Sequence, residues 1–294
     1  MNKKQRFPKI LCMILAVTNV SLMLAPASSA LPPLTPGRAT VKNFLIAAMQ
    51  PLGSTLYVWS GGWDETDKLA GPGAKCIEPL PQWRVFFESQ GPDYKHYKNY
   101  YGPDPGADGN PNPDYDLEKF NEEIRAGLDC GGHVGRSIIM CRGEEERKAD
   151  FRVGACAKEC VERGWGQLKE QGDVTDYKPG DIMSIPKKHV WICLGRCKDG
   201  SIVLVHASPP GVHLCGTTLP GKEDSEAVKL ASRYMTKYFP EWNKKYPRYS
   251  RDGVEYLKGS NQMRWDVSGT KFMSDPEGYT QRAPEEILRE LFGD

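Results

Sequence analysis

His189-Val-Trp-Ile-Cys-Leu194 and Ser201-Ile-Val-Leu-Val-His206 set the architecture of this chain. Both are short apolar runs rich in β-branched residues, and the loop joining them contains the turn pair Asp199-Gly200. They read as an antiparallel hairpin. Opposed residues in a hairpin have a constant index sum, so the loop fixes which side chains meet. If Leu194 faces Ser201, His189 faces His206 directly on one side of the sheet. A tight turn centred on Asp199-Gly200 shifts the register and parts the two imidazoles.

Upstream of the hairpin, Lys178-Pro-Gly-Asp181 makes a turn into strand-like sequence. Before it, a helix is expected over about 155–171, and another starts near Asp129-Cys130-Gly131-Gly132-His133. A helix start offers free N–H groups and partial positive charge, which favour a thiolate over a thiol. The same N–H groups can receive the oxygen of a tetrahedral intermediate. Glycines are poor helix formers, so Gly131 and Gly132 need a reason such as close approach of a substrate or a packed strand. Nearer the amino terminus, Val41, Phe44, Leu45, Ala48 and Met49 fall at helical spacing, with Thr40 as cap and Pro51 and Gly53 as stop. Tyr57-Val-Trp59-Ser-Gly-Gly-Trp63 follows as an aromatic segment. After Pro209-Pro210 come a helix over about 225–238, a Tyr/Lys/Trp-rich tail and a short helix over about 283–292.

Residues 1–30 read as an export signal: Lys3, Lys4, Arg6 and Lys9, then an apolar run over 10–24, then Ala-Ser-Ser-Ala before a cut after Ala30. The run is short for a membrane span, so no stable membrane anchor is expected after cleavage, and the product is secreted or envelope-associated. With those four basic residues removed, 35 Lys and Arg stand against 38 Asp and Glu. No basic tract or basic-aromatic stripe provides a footprint for nucleic acid. The remainder, 31–294, is read as a single domain. Within it, 63–127 is a Gly/Pro/Asp/Tyr-rich insertion or lid. The alternation Asp108, Asn110, Asn112, Asp114, Asp116 lacks the turn glycine and closing glutamate of a calcium loop and reads as a solvated loop.

Cysteines 76, 130, 141, 156, 160, 193, 197 and 215 survive signal removal, in a setting that permits disulfides. If Cys130 is a nucleophile, at least one of the others stays free. The pairs Cys156/Cys160 and Cys193/Cys197 have metal-like spacing, but the first sits on one helix face, where buried thiols are ordinary core residues. No metal or other cofactor is expected.

A single histidine at a strand end is usually structural. A cysteine at a helix start, a histidine opening one strand and a second closing its partner together form a nucleophile, base and orienter set. That set is Cys130, His189 and His206. The flanking Asp129, Gly131, Gly132 and His133, with Tyr57 and Trp59, are candidate substrate-binding or oxyanion residues.

Tyr57-Val-Trp-Ser-Gly-Gly, Asp129-Cys130-Gly-Gly-His, Pro179-Gly-Asp181, His189-Val-Trp-Ile-Cys-Leu-Gly195 and Val205-His206-Ala-Ser208 occur in that order. The order resembles that of the NlpC-type cysteine peptidases, whose pattern is an aromatic-glycine segment, Asp-Cys-Ser-Gly, Pro-Gly-Asp, His-Val-Gly and His-Ala-Ser. The resemblance spans about 40–215. It implies an α+β, papain-like core in which the helix carrying the nucleophile packs on an antiparallel sheet, here with a long insertion and a C-terminal helical extension over 220–294. It also implies hydrolysis of amide bonds in peptidoglycan stem peptides, typically between D-glutamate and the following diamino acid. Cys130 is then nucleophile, His189 base and His206 orienter; Tyr57 lines the site beside the thiol, and no metal is needed.

The chain departs from that pattern with Gly131 in place of Ser, His133 in place of an aromatic, Trp191 in place of glycine, and the 63–127 insertion. Two rivals are a non-catalytic wall-binding or assembly protein on the same fold, and a cysteine acyltransferase or amidase with a non-wall substrate.

Overall fold

The computed structural model describes residues 31–57, 128–142 and 156–294, save 36, 54, 56 and 210. The export signal, Trp59, Cys76, and the 63–127 insertion with its Asp/Asn alternation lie outside the described residues.

Seven strands form one sheet: β1 (Gly166–Lys169), β2 (Ile182–Ile185), β3 (His189–Arg196), β4 (Ile202–Ser208), β5 (Gly211–Thr217), β6 (Ser250–Arg251) and β7 (Asn261–Trp265). Their order is β1-β7-β2-β3-β4-β5-β6. The β5–β6 pair is parallel and the others are antiparallel, so the sheet is mixed rather than antiparallel throughout. The segment after 220 is not a helical appendage. It supplies β6 at one edge and threads β7 between β1 and β2. The expected helix over 155–171 is shorter, Cys156–Glu162, and 166–169 leaves it to pair with β7 as a strand.

Strand alternation sorts side chains between two faces. Ile182, Val190, Ile192, Leu194, Val203, Val205, Ala207, Val212, Leu214 and Met263 share a buried core with the helices. The helices α1 (Val41–Met49), α2 (Cys130–Arg142), α4 (Glu226–Tyr238) and α6 (Pro284–Phe292) contribute to that core, as do Cys156, Ala157 and Cys160 of a shorter helix and Trp242 of another. Fully burying one such aliphatic side chain contributes roughly 1.5–3 kcal/mol, so this face supplies most of the stabilisation. α3 (Cys156–Glu162) and α5 (Pro240–Lys245) complete the helices. The opposite face carries a smaller cluster of Met183, Trp191, Cys193, Ile202, Leu204, Cys215 and Tyr256. Tyr256 lies in a π-helical turn, Val254–Lys258, that closes over this face.

Local capping fixes where helices begin. The Thr40 hydroxyl accepts from the Asn43 N–H (3.1 Å), and the Ser225 hydroxyl accepts from the Val228 N–H (3.2 Å). Asp129 does the same for α2, its carboxylate accepting from the Gly132 N–H at 2.6 Å. Among the described residues no helix is long and apolar enough to cross a membrane.

Candidate active site at the opening between two strands

The hairpin register follows neither sequence expectation. Ile192 pairs with Val205 and Cys193 with Leu204; past an irregularity, Gly195 pairs with Val203 and Arg196 with Ile202. This β-bulge inserts one residue into β3 and resets the sum. The residue left unpaired is Leu194; the adjoining Gly195 has a φ of 123° that suits glycine, and a Cβ there would press on Pro284 and Pro179. His189 therefore does not face His206. Its cross-strand partner is Ile185 on β2, and that of His206 is His213 on β5.

The imidazoles nevertheless meet diagonally. His189 Nε2 lies 2.7 Å from His206 Nδ1, with the ring planes 78° apart. The β3–β4 ladder runs only from Arg196–Ile202 to Ile192–Val205. Beyond it, 189–191 pair with β2 and 206–208 with β5, so the two strands part where the histidines stand.

Cys130 reaches this opening from the helix side. It is the first residue of α2, and its sulfur receives the backbone N–H of Val190, the residue after His189. The N–H groups of Gly131 and of Cys130 itself also act on the sulfur. Gly132 is different, because its N–H is spent on Asp129, so the N–H groups left for an oxyanion narrow to those of Cys130 and Gly131. Asp129 is thus a helix cap. No hydrogen bond joins the thiol to His189 among the described residues, and Cys130 is 2 % exposed. Burial first, and then the Asp129 carboxylate, push the thiol up to about 12 against the opposing N–H groups. The expectation that the helix start lowers the Cys130 pKa is therefore corrected. Desolvation outweighs the partial positive charge.

The remaining sequence candidates divide. Tyr57 is buried in the helix-side core. His133 lines no cleft: it is fully buried and its Nε2–H donates to the Ala48 carbonyl (2.8 Å), tying α2 to α1. Burial lowers its pKa to about 4. Trp191 is fully buried, its ring against Tyr256 and its indole N–H donating to Ser260 Oγ at 3.3 Å. Asp181 of the Pro-Gly-Asp turn is structural, accepting from the Lys178 N–H (2.7 Å), Gln262 Nε2 (2.9 Å) and Arg264 Nη2 (2.7 Å). These bonds pin β7 to the turn that feeds β2. Cys156 and Cys160 are buried core thiols, and all seven described cysteines are free. Among the described residues no group of three or more His, Cys, Asp or Glu is placed to hold a metal ion.

Sequence reasoning missed the groups that surround His206. Arg251 Nε donates to His206 Nε2 (3.1 Å), Cys215 Sγ lies 3.5 Å from the same nitrogen, and Tyr256 Oη lies 3.4 Å from Nδ1. The Tyr256 ring also stands edge-on to His189, centroids 5.7 Å apart. No motif marked Arg251 or Tyr256; the π-helical turn carrying Tyr256 is the kind of irregularity that gathers at functional sites. Burial first, and then the charge of Arg251, lower the His189 pKa to about 3 and hold His206 well below its usual value. His213 is structural: its Nδ1–H donates to the Gly211 carbonyl (2.9 Å) and its Nε2 accepts from the Trp242 indole (3.0 Å).

Fold and site together define an α+β protein with a mixed seven-stranded sheet, in which a helix-start cysteine and a histidine pair meet one strand opening. Comparisons with protein-family models, curated proteins and solved structures find no match to this chain.

Proposed function

We propose that the chain is an exported thiol hydrolase that cleaves amide bonds in peptidoglycan stem peptides, between D-glutamate and the following diamino acid. The observation that carries the chemistry is the 2.7 Å His189–His206 contact at the strand opening where the Cys130 sulfur meets the Val190 N–H. His189 takes the Cys130 proton, the thiolate so formed attacks the amide carbonyl, and the N–H groups of Cys130 and Gly131 hold the oxyanion. His189, oriented by His206, gives a proton to the leaving amine, then takes one from the water that releases the acyl group. The substrate class rests on the order of motifs in the sequence, and export on the basic start, apolar run and Ala-Ser-Ser-Ala site. The papain-like topology belongs to the same proposal, supported by a nucleophile helix that packs on β3 and β4.

Purified sacculi incubated with the wild-type chain should release new muropeptides, and with Cys130→Ala none. Equal product from both, or none from either, removes the mechanism. The buried, protonated thiol favours a second reading, a non-catalytic wall-binding or assembly protein. Sacculus binding without any cleavage by the wild-type chain is its signature.

A further inference from the structure

We propose that Arg251 is a latch on the histidine pair: while its guanidinium donates to His206 Nε2, His189 cannot take the Cys130 proton, and the reactive pair forms only when Arg251 withdraws. The inference deepens the thiol-hydrolase reading and rests on it for its biological meaning.

The geometry assigns every proton in the chain of contacts. A guanidinium only donates, so His206 Nε2, 3.1 Å from Arg251 Nε, carries no hydrogen. Cys215 faces the same nitrogen and is also a possible donor. A neutral imidazole has one N–H, so the His206 hydrogen sits on Nδ1 and is given to His189 Nε2 at 2.7 Å. Tyr256 Oη, 3.4 Å from that Nδ1, is then an acceptor at best. His189 Nε2 now accepts, so the hydrogen of neutral His189 sits on Nδ1. In this arrangement His189 can offer a proton but has no lone pair for the one on Cys130.

To act as base, His189 must end with hydrogens on both nitrogens, and its Nε2–H must be received by His206 Nδ1. The His206 hydrogen then moves to Nε2, where Arg251 stands with a donor and a positive charge. Donor against donor is repulsive, so the two states exclude each other. His213 across the strand pair and His133 on the helix side are the other titratable rings acting on His206, and both are neutral in the fold. The guanidinium is the positive charge in this set.

Arg251 is well placed to leave. It belongs to β6, two residues long at the sheet edge and paired with β5 alone. Its release parts an edge contact and leaves the central ladders in place.

Two measurements test the latch without any substrate, so they stand or fall separately from muropeptide cleavage. Side-chain nitrogen NMR of the wild-type chain should find His206 unprotonated at Nε2 and protonated at Nδ1; the reverse assignment overturns the proposal whatever the variants do. Iodoacetamide labelling of Cys130, read on its tryptic peptide across pH 5–9, should be faster in Arg251→Met than in wild type by at least about tenfold at pH 7, the equivalent of one pKa unit. Adding His189→Ala should remove the gain. No acceleration, or one that survives His189→Ala and so reflects loosening alone, overturns it.

Discussion

The two faces of the sheet are built differently. On the helix side, strand residues such as Val190, Ile192, Val203 and Val205 pack against aliphatic and aromatic helix residues, and Cys130 arrives there as one more buried group. On the other side, His189, His206, Gln262 and Arg264 alternate with the core positions, joined by Asp181 and Arg251. The helix side is held mainly by apolar area, with the buried His133–Ala48 bond as its pH-sensitive tie. The opposite side adds to its smaller apolar cluster polar groups that must keep particular protonation states. The strand opening at His189 is where the two regimes meet, and the proposed chemistry draws on both.

Acid separates the faces most strongly. His133, His189 and His213 have folded pKa values lowered to about 4, 3 and 3 from 6.5, and His206 is lowered as well. Below 6.5 the unfolded chain binds protons that the folded chain refuses, so the stabilisation present above 6.5 is lost as pH falls toward those values. Each ring then subtracts up to about 1.4 kcal/mol per pH unit, and several kcal/mol should disappear between pH 7 and 5. Urea unfolding at the two pH values checks this; an unchanged midpoint contradicts the neutral buried rings.

A smaller loss is expected at Arg264→Ala. Arg264 pairs with Asp181, whose side chain is 2 % exposed, and removing the cation leaves a buried carboxylate held by Gln262 Nε2 and the Lys178 N–H. Breaking such a pair costs about 3–5 kcal/mol, and urea unfolding at pH 7 reads it directly. A loss under about 1 kcal/mol, typical of a solvated surface pair, places Asp181 in water instead.

The same contrast explains what the sequence made legible. Periodicity and the Thr40 cap located α1, and the helix near Cys130, the helix over 225–238 and both hairpin strands were legible as well. β7 stayed hidden because Asn261-Gln-Met-Arg-Trp265 looks like a polar tail until Gln262 and Arg264 are seen bonded to Asp181. β5 stayed hidden because Gly211 and Gly216 dilute its pattern; Gly216 is needed where a Cβ would stand 2.1 Å from the Ala227 backbone. Of the site, Cys130, His189 and His206 were legible as a set, and they do gather at one opening. Their contact arises by a diagonal approach past a bulge that spacing could not announce. Arg251 and Tyr256 were not legible, because a single arginine or tyrosine in a polar segment carries no spacing signal and acts only through the fold.

The central claim is that the Cys130 sulfur, served by the two histidines, is the attacking atom. The most direct test is to quench the wild-type chain with acid soon after mixing with purified muropeptides and map its peptides by mass spectrometry. A stem-peptide acyl group is expected on the peptide containing Cys130, absent in Cys130→Ser. Cleavage that proceeds with the adduct on another cysteine, or with no adduct and full activity in Cys130→Ser, contradicts it.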